Sequence, residues 1–113
     1  MNLQDGIRLL ELEVVCAGPD PEREITGGYC GDLLSWVMGR APADCLWITV
    51  MGNVNAVAVA VLADVTAIVL AEDSPLDDAA RERAEQQGVT ILRSPLPAFA
   101  LAVRLGELLR EAP

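Results

Sequence analysis

Apolar and polar positions change period several times along the 113-residue chain, and each change marks an element. Leu3, Ile7 and Leu10 recur at helical spacing, which predicts a first helix over 3–10. From Glu11 the residues alternate and then turn apolar through Val14, Val15 and Cys16, which predicts a strand that ends at Gly18. Pro19-Asp20-Pro21 interrupts regular structure. Beyond it, Gly27-Gly28 favours a sharp backbone bend, because glycine adopts conformations that larger residues resist.

Residues 32–38 read as a helix, with Leu33, Leu34, Val37 and Met38 on one face, Asp32 placed to cap it and Gly39 to Pro42 to end it. The apolar run from Cys45 to Val50 reads as a buried strand. Residues 55–63 are apolar almost throughout, so their period alone leaves helix and strand open. Gly52, Asn53 and Asn55 are good capping residues, and Val65 to Leu70 is another strand soon after, so the spacing favours a helix over 55–62. Such a helix needs cover on more than its sheet-facing side, and a second subunit is the simplest cover.

Ser74-Pro75-Leu76-Asp77-Asp78 opens a further helix, with carboxylates near the positive end of its dipole. It runs to about Gln87, and Gly88 is a ready terminator. Val89 to Leu92 is a short strand. Pro97 starts the final helix, to which Phe99, Val103 and Leu105 to Leu109 supply apolar content. Strands and helices alternate from residue 31 onwards. The expectation is a single α/β domain over 1–113, a layered sandwich with a mainly parallel sheet of about five strands flanked by helices.

Composition narrows the function. The net charge is −9 and all eight basic residues are arginine. An acidic chain without an arginine cluster is unsuited to nucleic acid or to anionic membrane surfaces. Without lysine there is no Gly-x-x-x-x-Gly-Lys-Ser/Thr phosphate loop and no Schiff base. Without histidine the common general base and the usual Ser or Cys triads are missing. No Gly-x-Gly-x-x-Gly follows a strand. An enzyme is therefore not expected, nor is a cofactor. Cys16, Cys30 and Cys45 lack the paired spacing of a zinc site and read as small core hydrophobes. The polar start Met1-Asn2-Leu3-Gln4-Asp5 is unlike a secretory signal, which predicts a cytoplasmic, reduced protein.

The informative segment runs from Arg23 to Ser35. Arg23, Thr26, Gly27 and Gly28, followed by Asp32-Leu33-Leu34-Ser35, resemble the signature of the DRTGG domain family. Leu46-Trp47-Ile48-Thr49, Asn55, the Ala/Val-rich helix and the closing Ile91-Leu92, Ser94 and Phe99 are similar to that family as well. The leading acidic residue is Glu22 or Asp20 rather than an Asp beside Arg23, and Gly31 replaces a small polar residue. The resemblance implies a regulatory module. Such domains accompany CBS pairs in inorganic pyrophosphatases, lie beside phosphotransacetylase catalytic domains, and are similar to the N-terminal domain of HPr kinase/phosphorylase. Stand-alone members occur with iron-only hydrogenases, and dimers are expected.

Two candidate ligand sites follow. Thr26-Gly27-Gly28, with Arg23 and Asp32 nearby, forms either an anion-binding nest of backbone N–H groups or a turn that needs glycine for backbone reasons alone. Thr49, Asn53 and Asn55 lie where a central strand leads into a helix, which suits either a small-ligand site at the carboxyl end of the sheet or simple helix capping. Cys30, beside the glycines, lacks any cationic neighbour except arginine to activate it. The resulting expectation is a non-catalytic, homodimeric regulatory or ligand-sensing module. It binds a small anionic ligand such as a nucleotide, a partner metabolic enzyme, or both. The alternatives are a ligand-free assembly partner and, last, a small phosphotransferase.

Overall fold

The computed structural model describes residues 1–111. In chain order the elements are α1 (Leu3–Leu9), β1 (Glu13–Cys16), β2 (Gly27–Cys30), α2 (Leu34–Arg40), β3 (Cys45–Thr49), α3 (Val54–Ala63), β4 (Ala67–Leu70), α4 (Asp78–Gln87), β5 (Ile91–Arg93) and α5 (Ala98–Glu111). They build one α/β sandwich around a five-stranded sheet of order β1-β5-β4-β3-β2. The pairs β2–β3, β3–β4 and β4–β5 are parallel, and β1 joins β5 antiparallel.

The pleat sorts side chains into two cores. Cys45 and Trp47 of β3 face one way, against Val37 of α2, Val57 and Ala60 of α3 and Ala80 and Ala84 of α4. Leu46 and Ile48 face the other way, against Leu3, Ile25 and, on α5, Leu101 and Leu105. Both faces of the sheet are covered, which is why β3 and β4 are continuous apolar runs without polar alternation. Along β2, β3, β4 and β5 the strand order advances in one direction, and α2, α3 and α4 share one face.

Several expectations change in three dimensions. Gly27 and Gly28 are not a bend; they pair with Cys45 and Leu46 inside β2. Asp32 does not cap α2, whose N-cap is Leu33 without a side-chain bond. The helix also runs through Gly39 and stops at Ala41, extended (φ −68°, ψ 125°) as the residue before a proline must be. The fourth helix begins at Asp78 with Asp77 as its cap, so Pro75 belongs to the preceding loop. On α5 the core contacts come from Leu101 and Leu105, while Phe99 is 81 % and Val103 44 % exposed. Cys16 and Cys45 are buried as expected, but Cys30 is exposed.

The apolar helix exists as α3, capped by the Asn53 side chain accepting from Ala56 N. Its cover comes largely from within the chain, since α2 and α4 pack on either side. Val61 and Leu62 remain open to solvent.

Candidate functional site

The predicted site residues fall at opposite ends of the sheet. Thr26 precedes β2 and Asp32 follows it, six positions apart in extended chain, or about 20 Å. Arg23 and Thr26 therefore lie at the amino end of the parallel strands. Asp32, Thr49, Asn53 and Asn55 lie at or near the carboxyl end, with Gly27 and Gly28 in the strand between.

At the amino end Arg23 is a structural hub. Its Nη2 donates to Asp44 Oδ1 at 2.9 Å, to Asp64 Oδ1 at 2.9 Å and to the Asp64 carbonyl at 2.6 Å, while Nε donates to Asp44 Oδ1 at 3.2 Å. Partial burial opposes the charge, but the two carboxylates outweigh it and hold the guanidinium above its ordinary pKa. Asp44 and Asp64 close the turns before β3 and β4 in the left-handed region, with φ of 65° and 57°. Thr26 N donates to the Asp44 carbonyl at 2.9 Å. Arg23 thus clamps two strand-entry turns, and its guanidinium is already committed to carboxylates. The sequence reading missed both partners. Their signal is an Ala-Asp pair immediately before an apolar strand, at Ala43-Asp44 and again at Ala63-Asp64.

The carboxyl end is tied together differently. Asp32 Oδ1 accepts from Thr49 Oγ1 at 2.7 Å and from Val50 N at 3.0 Å, and Thr49 Oγ1 accepts from Met51 N at 3.2 Å. Trp47 Nε1 donates to the Gly31 carbonyl at 2.9 Å, which fixes the loop after β2 onto β3. Gly52 sits so close to the next loop that a Cβ would collide with the Pro75 carbonyl oxygen, and Asp77 N donates to the Gly52 carbonyl at 2.9 Å. Asn53 caps α3, and Asn55 is exposed in its first turn.

Three carboxylates, Asp32, Glu72 and Asp73, are exposed in the loops at this end. The nearby Arg93 is held by Glu13 Oε2 at 2.8 Å and by the Ser74 carbonyl at 3.5 Å. Cys30 is not an activated thiol, because partial burial and then the Asp32 charge push its pKa up. Among the described residues, no group of three or more His, Cys, Asp or Glu side chains could hold a metal ion. Nor does the parallel part of the sheet have a point where strand order reverses, the crevice in which open sheets usually take ligands. Among the described residues no helix is long and apolar enough to cross a membrane.

No protein-family model and no curated protein matches the sequence. The fold does have a solved counterpart, in the crystal structure of the CBS and DRTGG domains of the regulatory region of Clostridium perfringens pyrophosphatase, complexed with its activator diadenosine tetraphosphate. The TM-score is 0.71 over 92 % of this chain at 11 % sequence identity, and the match spans 45 % of that chain. The likeness supports a DRTGG-like fold for this chain.

Proposed function

We propose that the chain is a non-catalytic regulatory module that, as a homodimer, senses a small anionic ligand of the nucleotide class and acts on a partner metabolic enzyme. The observation that carries this reading is the fold shared with a regulatory region crystallised with a nucleotide activator. The absence of lysine and histidine supports a binding role over a chemical one. In this reading the ligand meets the carboxyl end, where the loops after parallel strands converge. It meets the exposed Asn55 there and, through ribose hydroxyls rather than phosphate, Asp32. Thr49 and Asn53, already bonded to Asp32, Met51 and Ala56, hold the loops in place. Arg23, Thr26, Gly27 and Gly28 are the frame that sets strand entry and β2 packing.

A thermal-shift panel of adenine and guanine nucleotides, phosphate and acetyl phosphate tests it. A ligand at one hundred times its dissociation constant adds about 2.7 kcal/mol, a melting shift of roughly ten degrees for a chain of this size. The expected result is a nucleotide-dependent shift that Asn55→Ala abolishes. A flat panel favours the second reading, a ligand-free assembly partner. Repurified protein that turned over ATP, and lost that turnover on Thr26→Ala, would instead revive the phosphotransferase reading.

A further inference from the structure

The two edges of the sheet are finished differently. On the β1 edge the register shifts between Val14 and Cys16, Glu13 pairs with Arg93, and Arg81 Nη1 donates to the Val15 carbonyl at 3.0 Å. A bulge, a charged pair and an occupied carbonyl are the usual means of keeping an edge strand from pairing further. β2, at the other edge, has none of them. It reads Gly27-Gly28-Tyr29-Cys30, with neither charge nor proline.

The surroundings of β2 are largely apolar on both faces of the sheet. On one face a groove of about 160 Å³ runs between β2 and α5, lined by Gly28, Cys30, Ile48, Ala102, Leu105 and Gly106. Phe99 and Val103 share a helical stripe with Gly106, so α5 presents its exposed apolar side along this groove. On the other face the start of α2 leaves Leu33 exposed and Trp36 half-exposed, with the Arg40 guanidinium 3.8 Å above its ring. Arg40 over Trp36, and Glu107 and Arg110 further along α5, are the charges nearest this patch, and the residues that line it are uncharged in a chain of net −9.

We infer that this edge is the docking surface for a second copy of the chain, β2 against β2 in antiparallel pairing about a twofold axis, with α5 against α5. A twofold contact uses the same patch on both partners, and a strand paired antiparallel with its own copy meets that condition. Two acidic chains repel over most of their surfaces, and a face poor in carboxylates lets them meet with little opposition of like charges. Ala102 and Gly106 are small enough to let the two helices approach closely. The inference rests on the dimer in the function proposed above, and it assigns the interface to β2 and α5 rather than to α3. Ligand sensing is a separate matter, since a dimer without a thermal shift defeats the sensor and keeps the interface.

Light scattering after size exclusion, with amide exchange on the same protein, tests the interface. The expected mass at micromolar concentration is twice the 12.0 kDa of one chain. Gly27→Glu, and Phe99→Glu with Val103→Glu, are expected to give the single-chain mass, while Leu62→Glu on α3 stays dimeric. In the native protein the amides of residues 27–30 are expected to exchange more slowly as concentration rises, a readout that needs no variant. A native monomer overturns the inference and leaves the edge to a strand from a different protein. A dimer that survives both interface variants, one lost in Leu62→Glu, or exchange at 27–30 independent of concentration overturns it equally.

Discussion

The Asp32 carboxylate accepts the Thr49 hydroxyl at 2.7 Å, joining the loop after β2 to the end of β3. With the bond from Val50 N at 3.0 Å, one side chain satisfies two donors, at the last residue of β3 and the residue after it. Asp32→Ala leaves the buried Thr49 hydroxyl without this acceptor and is expected to cost about 1–3 kcal/mol in urea denaturation. Asp32→Asn keeps an acceptor oxygen and is expected to cost less than half as much. Amide exchange in α2 should stay unchanged in both variants, because Asp32 is not the cap of that helix. Fraying of α2 would restore the capping role.

The glycines of the signature are not equivalent. A Cβ at Gly27 meets nothing within 4 Å, whereas one at Gly28 lies 2.8 Å from Leu105 Cδ2. Gly27→Ala is expected to be near neutral, and Gly28→Ala to cost about 1 kcal/mol through a forced shift of the buried Leu105 side chain. Gly52→Ala, facing a backbone carbonyl that cannot rotate away, is expected to cost about 3 kcal/mol or more. Melting temperatures of the three variants give the order directly.

Arg23 joins Asp44 and Asp64 in a partly solvated network. Solvent screening limits what such pairs contribute, and Arg23→Ala is expected to cost about 1 kcal/mol. Arg23→Lys should recover only part of that, since an ammonium cannot reproduce the forked bonds to two turns. Denaturation at low and high salt checks this: the difference between wild type and variant should shrink as salt rises. A difference independent of salt would mean that Arg23 acts through packing.

Burial pushes the Cys45 thiol up to about 11, against 9.0 for an unperturbed thiol. As pH rises past 9 the unfolded chain loses this proton first, while the folded chain keeps it. The stability linked to this group is therefore complete below about pH 9 and is lost as pH rises towards 11, a fall of at most about 2–3 kcal/mol. Cys16 is shifted in the same direction by burial, then by Glu85, and adds to the fall. Urea midpoints measured between about pH 8 and pH 11 should decline, and decline less steeply in Cys45→Ala. Equal slopes in the two proteins would show that the Cys45 proton is not the linked one.

Much of the fold was legible because the signals were local. The Cys45 to Thr49 run, the cap at Asn53 and the stop at Gly88, in the left-handed region at φ 69°, each depend on a few neighbouring residues. The candidate site was legible only in part. Thr49, Asn53 and Asn55 were placed beside a strand end, which a strand followed by a cap announces. Asp32 was misread as a helix cap, because its true partners, Thr49 and Val50, are 17 and 18 positions away. Arg23 was read as a ligand residue for the same reason, since Asp44 and Asp64 stand 21 and 41 positions away.

By itself the sequence determined a layered α/β fold with a mainly parallel sheet, through its alternation of apolar runs and capped helices, and its lack of lysine and histidine removed the common general base and Schiff-base chemistry. Tertiary structure decided what pairing across the sheet alone can decide. It made Gly27 and Gly28 strand rather than bend, it committed Arg23 to two carboxylates, and it left β2 as an uncharged open edge beside α5. The physical reason is range: periodicity and caps act over one or two turns, whereas strand order, hydrogen-bond partners and edge exposure depend on residues far apart in the chain.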